Sequence, residues 1–196
     1  VIINRFDHRT SGNTHGHHSA SAILGVESFD KSNNPAVFPE QLNLVKPWQA
    51  KRQFFNTSWW FYGNQEKFDA ADKTNLLTMQ TGVYYASIGK SNQEIAALSR
   101  SRHQSQGFGS TGSRGEETEY LEFLKGEPLK DKTNIFEGID TSWNRVKDGK
   151  LIGEEISKII KNYDFKNPSA SIADLVKVYE MIQSLSEDHW KPIKSD

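Results

Sequence analysis

The sequence contains no cysteine among its 196 residues. A chain without thiols has no disulfide framework, no thiolate nucleophile and no cysteine-ligated zinc or iron–sulfur site. Any metal must therefore be held by histidine, aspartate or glutamate. The lack of cysteine fits an exported protein and a cytosolic protein alike, so it leaves the compartment open.

An excess of charge and long apolar runs are also lacking. Lys and Arg number 24 against 25 Asp and Glu, so no global field would steer the chain to nucleic acid or to anionic lipid. No apolar run approaches the roughly 18 residues of a membrane span, and the first 20 residues show no signal-peptide pattern. We expect a neutral or small-molecule partner, no nucleic acid and no membrane span.

The chain is long enough for one domain with a sizeable core and is short for two independent domains. Residues 1–6 form an apolar strand, residues 7–15 a polar loop, and a helix follows with Ala20, Ile23 and Leu24 at helical spacing. This order is half of a βαβ unit, in which ligands lie at the carboxyl end of the strand. Because a buried strand begins at Val1 with no preceding turn, we expect further strands before it.

Later segments alternate between strand and helix patterns. We predict strands at 53–62 and 120–124, a capping-box helix at 91–101, and short helices near 39–45 and within 64–74. Two apolar stripes predict two helices in the last sixty residues, the second beginning with a capping box of Ser171 and Asp174. The predicted fold is α/β, with residues 1–130 forming the main part and 131–196 a helical extension of the same domain.

Histidines are concentrated near the start, where His8, His15, His17 and His18 lie within the first 18 residues. Imidazole is the commonest metal ligand, and a helix N-terminus favours its neutral form. In a helix that begins near His15, His15 and His18 can face one pocket while His17 points elsewhere. An equally supported interpretation is that these are surface-loop histidines that cap the helix. Two histidines do not complete a zinc site, and Asp7 is the other ligand candidate nearby.

The middle of the chain offers further candidates. Arg114, with Arg100 and Arg102, flanks a glycine-rich loop at 107–115 and is suited to a phosphate or carboxylate, although a solvated basic face is an alternative. The loop spells G-x-G-x-x-G but follows a helix instead of a strand, which argues for a flap or a linker and against a dinucleotide site. We interpret the aromatic residues around Trp59 and Trp60 as core and not as a sugar platform.

Residues 1–30, and more loosely the segment through His103, resemble the PIG-L/LmbE family of zinc-dependent N-deacetylases. His15-Gly16-His17-His18 stands where that family has a His-Pro-Asp-His loop. The resemblance implies a Rossmann-like sheet with helices on both faces, whose first strands are missing here. It also implies that His18 binds zinc and that His15 polarises the substrate carbonyl or stabilises the oxyanion. The family's other metal ligands and its general base come from a His-Pro-Asp-Asp motif that this sequence lacks.

Two further matches extend the resemblance. Arg9 begins the form Arg-Thr-x-Gly-x-Thr-His-Gly-His-His, similar to larger, often exported members, which favours a periplasmic or extracellular location. The stretch 90–106 ends in His103-Gln104-Ser105-Gln106, similar to the family's His-x-Ser-Gln signature, although His103 also fits a plain helix end. Arg9, His103 and Arg114 are thus candidate substrate-binding residues. Gly16 and His17 depart from the family's Pro and Asp.

We therefore expect hydrolysis of an N-acetyl group on an N-acetylglucosamine-type small molecule or glycan, with zinc as cofactor. These 196 residues alone should be inactive unless the missing N-terminal part supplies its ligands. One alternative is a metal-dependent amidohydrolase or phosphoesterase that uses the H-x-H pair His15 and His17. Another is a non-catalytic carbohydrate-binding or scaffold module.

Overall fold

The computed structural model describes residues 1–10, 14–106 and 108–186. Gly107 of the glycine-rich loop, and three residues of the Arg9-to-His18 motif, lie outside the described residues. The chain divides into two compact units, residues 1–137 and residues 138–196. Within the described ranges, no helix is long and apolar enough to cross a membrane.

The first unit is built on an open mixed sheet of four strands, flanked by helices. Its strands are β1 (Ile2–Asn4), β2 (Arg52–Thr57), β3 (Leu76–Gln80) and β6 (Thr118–Gly126), and a separate two-stranded sheet joins β4 (Tyr84–Tyr85) and β5 (Lys90–Ser91). The four strands lie in the order β1-β2-β6-β3, in which β1 is parallel to β2 and the other pairs are antiparallel. The expected α/β class is confirmed at this level.

Four helices accompany the sheet: α1 (Gly16–Lys31), α2 (Trp59–Tyr62), α3 (Gln65–Ala70) and α4 (Asn92–Arg100), with a short 3₁₀ turn at Pro39–Gln41. The predicted capping box of α4 is present, since the Ser91 hydroxyl accepts from the Glu94 amide and the Glu94 carboxylate accepts from the Ser91 amide. The predicted helices at the start of the chain and within 64–74 are confirmed as well.

Strand β2 is the centre of the core. Phe54 is fully buried and packs with Leu77, Leu121 and Ile135 on one face of the sheet. Arg52 is also buried, and its guanidinium donates to the carbonyl oxygens of Ile135, Glu137 and Glu127 at 2.9, 2.7 and 3.2 Å. These bonds satisfy a charge that would otherwise be costly to bury.

Helix α1 lies close to β1. A Cβ at Gly25 would come within 2.6 Å of the Asn4 side-chain oxygen, so a larger residue there would require the Asn4 side chain to shift. The Asn4 amide donates to the Ala22 carbonyl at 3.3 Å, which ties the end of β1 to the helix. The contact holds α1 against the end of β1, and the histidine cluster lies at the start of this helix.

The predicted strand at 53–62 is too long. It ends at Thr57, and Trp59–Tyr62 form a helical turn that ends at Gly63, whose φ is +93°. Phe61 then packs edge-on against Phe55 with ring centroids 4.8 Å apart. Aromatic residues favour strands on average, but tertiary packing overrides that preference here. The sequence pattern did not predict strand β3 or the β4–β5 hairpin.

The second unit is a helical hairpin of α5 (Lys150–Asn162) and α6 (Ile172–Gln183) with 3₁₀ turns at Trp143–Arg145 and Pro168–Ser171. Its core is formed by Val146, Ile152, Val178, Ile182 and Leu185. Both predicted helices are confirmed. The predicted capping box is wrong, because Ser171 is already in a helical backbone conformation and its side chain caps nothing.

Candidate active site

The histidine cluster begins α1. His15 is the N-cap residue, and its carbonyl oxygen accepts from the amides of His18 and Ser19 at 2.9 and 3.2 Å. Its side chain makes no capping hydrogen bond, so the interpretation of this histidine as a side-chain cap is wrong. The His15 imidazole is exposed at the carboxyl end of β1, where α/β sheets place their ligands.

The three imidazoles of the cluster lie side by side. The ring centroids of His17 and His18 are 4.1 Å apart, and those of His15 lie 5.8 Å from each of them. The expectation that His17 points elsewhere is therefore wrong. His17 therefore lies beside His18, the predicted metal ligand.

His18 is the least exposed of the three. Its ring stacks on Phe6 with centroids 4.0 Å apart, and it lines a cavity of about 290 Å³ together with Arg5 and Asn4. Partial burial lowers the pKa of His18, and the neighbouring His17 and His15 lower it further. A neutral imidazole, the form that binds metals, is thereby favoured at this position.

Arg9 connects the loop to the sheet. Its guanidinium donates to both carboxylate oxygens of Glu122 on β6 at 2.8 and 2.7 Å, and its Nε donates to Asp7 at 2.9 Å. Burial acts to raise the pKa of Asp7, but the hydrogen bonds from Arg9 outweigh it and lower the pKa overall. Each of the three guanidinium nitrogens already has a carboxylate partner, so the geometry shows Arg9 as a loop anchor.

Tyr62 and His8 lie next to this ionic group. Burial raises the pKa of Tyr62, and the charge of Glu122 adds to the effect. The Nδ1 atom of His8 lies 3.7 Å from an Asp7 oxygen and is buried, and none of the described residues provides it with a hydrogen-bond partner. The structure thus places the candidate Asp7 in an ionic network with Arg9 and Glu122.

Arg114 and His103 lie around α4. Arg114 donates from Nε to Glu94 at 2.9 Å and from Nη2 to the Gly89 carbonyl at 3.2 Å, and its guanidinium lies over the Tyr84 ring. His103 is exposed just after the helix, where its amide donates to the Arg100 carbonyl at 3.0 Å. No hydrogen bond or ion pair in the described ranges joins either residue to the histidine cluster.

A catalytic zinc site needs more ligands than the described histidines provide. Within residues 1–10, 14–106 and 108–186, no group of three or more histidine, aspartate or glutamate side chains could hold a metal ion. Neutral imidazoles are suitable zinc ligands, whereas a catalytic site uses three protein ligands and an open position. The side chains of the described residues do not make up such a set by themselves.

The aromatic residues after β2 are less buried than expected. Trp59 and Trp60 are each about half exposed, at 50%, so the interpretation of these two as core is wrong. They follow the end of β2, which is parallel to β1, and they therefore lie at the same edge of the sheet as the histidine loop.

Sequence reasoning did not select Glu122, Phe6 or Asn56 as site residues. The sequence could have indicated Glu122, because it is a single charged residue within the apolar run 120–124. Phe6 and Asn56 look like ordinary strand residues in the sequence. Their roles depend on pairing between distant segments, which a single sequence does not reveal.

Comparisons with known protein families, with characterised proteins and with solved structures found no match to this chain.

Proposed function

We propose that this chain forms part of the catalytic domain of a zinc-dependent N-deacetylase with a Rossmann-like fold of the PIG-L/LmbE type, which removes an acetyl group from an N-acetylglucosamine-type sugar. The observation that supports the proposal most directly is the placement of three adjacent imidazoles at the start of α1, beside the carboxyl end of β1.

The site residues would have different roles in this reaction. His18, whose lowered pKa favours the neutral form, would donate a lone pair to zinc. When bound, zinc supplies Lewis-acid activation of water and of the amide carbonyl. His15, exposed at the helix N-cap, would donate a hydrogen bond to the developing oxyanion, where a well-placed donor contributes most to catalysis. The Arg9–Glu122 pair would hold the loop that carries them.

In this proposal the remaining ligands and the general base would come from a His-Pro-Asp-Asp motif, which is not among these 196 residues. A protein that carries both parts is the material to test. Acetate release from N-acetylglucosamine derivatives and zinc content per protein molecule are the two measurements. We expect His18→Ala to lower both, and His15→Ala to lower acetate release by about 10²–10³-fold while zinc content is retained.

His17→Ala is the matched control, because it removes the neighbouring imidazole. Zinc content should be retained in this variant. The proposal is wrong if the protein that carries both parts releases no acetate with zinc bound, or if His18→Ala retains its zinc. It is also wrong if the 196 residues alone bind zinc tightly and release acetate.

A metal-dependent amidohydrolase or phosphoesterase is the second candidate, and the position of His17 favours it. The His15 and His17 rings are nearly parallel, 5.8 Å apart, so both members of an H-x-H pair are on one side of the helix start. Under this hypothesis His17→Ala loses the metal and His18→Ala keeps it, the reverse of the result expected above.

A further inference from the structure

Strand β3 lies at the edge of the main sheet, beside β6. Residues of an antiparallel strand alternate between bonding to one neighbour and pointing their amide and carbonyl groups away from it. At the start of β3, the Asn75 carbonyl accepts from the Phe123 amide at 3.2 Å. At its end, the Thr81 amide donates to the Glu117 carbonyl at 2.7 Å. Thr78 is three residues from both of these bonds, so its amide and carbonyl point away from β6 towards the open edge.

The open edge of β3 presents backbone groups that lack partners. Leu76 and Gln80 are two residues from Thr78 and have the same orientation. The Leu76 amide donates to the Lys73 carbonyl at 3.0 Å, whereas none of the described residues outside β6 bonds to the backbone of Thr78 or Gln80. Both of these residues are exposed. An edge with unpaired amides and carbonyls is a template for a further strand.

Strand β3 carries none of the usual features that keep a sheet edge unpaired, which are charged side chains, proline and bulges. Its five residues, Leu-Leu-Thr-Met-Gln, include no charge and no proline, and they pair with β6 in an unbroken register. Lys73, just before the strand, donates to the Asp69 carbonyl at 2.8 Å. Lys132 donates to the Thr74 carbonyl, so it covers the edge only before β3 begins.

The edge of β3 is complementary to itself in an antiparallel register centred on Thr78. In that register Thr78 would oppose the partner's Thr78, and the two residues would exchange both of their backbone hydrogen bonds. The Gln80 amide would donate to the partner's Leu76 carbonyl. Opposed threonines are favourable between strands, whereas opposed like charges are not. The nearest lysine in sequence, Lys73, would oppose the partner's Val83, so this register brings no like charges together.

The same register continues the apolar core from one copy to the other. Leu77 is buried in the cluster around Phe54, and Met79 packs against that cluster. Leu77 would oppose the partner's Met79 at a non-hydrogen-bonded pair, where side chains of neighbouring strands come closest. A register shifted by one residue would instead place Leu77 against a polar residue, Thr78 or Gln80.

We propose that two copies of this chain associate through β3, antiparallel and centred on Thr78, so that their two sheets join into one. A two-fold pairing of this kind uses the same surface on both copies and satisfies the same backbone groups on each. The contact uses none of the residues assigned to the proposed reaction, so it does not depend on the deacetylase activity.

Sedimentation equilibrium of the protein between about 1 μM and about 1 mM measures the association. Thr78→Lys and Thr78→Glu each place like charges opposite one another across the two-fold axis, which destabilises a directly opposed pair. We expect each variant to dimerise at least about tenfold more weakly than the parent protein. Thr111→Lys, at an exposed loop position, is the matched control and should dimerise as the parent protein does.

An equimolar mixture of the two charge variants tests the register, because a lysine of one copy would then oppose a glutamate of the other. The mixture should recover dimerisation, and circular dichroism should show that all variants are folded alike. Hydrogen exchange of the Thr78 and Gln80 amides should slow as the concentration of the parent protein rises.

The proposal is overturned if the parent protein stays monomeric at about 1 mM, if Thr78→Lys dimerises equally well, or if Thr111→Lys is weakened to the same extent. A mixture that stays monomeric would also overturn it. A monomeric protein whose Thr78 amide is protected at every concentration would overturn it as well, and would show that another segment covers the edge.

Discussion

Arg9 joins two parts of the chain that are 113 residues apart. Its guanidinium forms paired hydrogen bonds to the Glu122 carboxylate and a third to Asp7. Paired bonds of this kind need the planar fork of arginine, which the single ammonium of lysine does not reproduce. The side chain is 46% exposed, so water screens part of the attraction.

We expect Arg9→Lys to lower the free energy of unfolding by about 1 kcal/mol, the upper end for a partly exposed ion pair. Urea denaturation followed by tryptophan fluorescence measures the change. Arg102→Lys, at an exposed position after α4, is the control and should have no measurable effect. Equal stability of the Arg9 and Arg102 variants would show that the anchor contributes nothing.

Helix α4 illustrates how a local sequence pattern becomes a structural contact. The carboxylate of Glu94 accepts from Arg114 and from the Ser91 amide, and these bonds lower the pKa of Glu94 below its ordinary value of 4.5. A carboxylate whose pKa is lower in the folded state stabilises that state at pH values above its unfolded-state pKa. This contribution is lost as the pH falls through the folded-state pKa.

Glu94→Gln should therefore destabilise the protein at pH 7 and have progressively less effect as the pH falls below about 4.5. The difference in urea midpoint between the parent protein and this variant, measured from pH 7 to pH 3, tests the expectation. Glu116→Gln, in an exposed loop, is the control. A difference that stays constant across this range would contradict the assigned role of the ionised carboxylate.

Elements were predictable from the sequence to different degrees. The helices with clear apolar stripes or a capping box, such as α4 and α5, follow from local periodicity. Strand β2 was placed correctly at its start, but its end was not, because α2 forms where Phe61 packs on Phe55. The end of an element depends on what it packs against, and one sequence does not show that.

At the scale of the whole molecule, two separate cores stabilise the two units. Phe54 centres the core of residues 1–137, and Ile152 centres that of residues 138–196, where it is 1% exposed. The adjacent Leu151 is 62% exposed. Neighbours in sequence thus have opposite environments on one amphipathic helix.

Ile152→Ala should lower the stability of the second unit by about 2–5 kcal/mol, because it leaves a cavity in a closed core. Leu151→Ala should change it by less than about 0.5 kcal/mol. Hydrogen exchange of the α5 and α6 amides measures both effects. A similar loss of protection in the two variants would show that the core is assigned to the wrong face of α5.

The sequence by itself determined the α/β class, most helices and the concentration of histidines after the first strand, because periodicity, capping and composition are local properties. Tertiary structure decided that His17 stays beside His18, that Arg9 is joined to Glu122, and that Trp59 and Trp60 are exposed. The pairing of β1 with β2, and of β2 with β6, brings Arg9 to Glu122, and a single sequence carries no record of which strands pair.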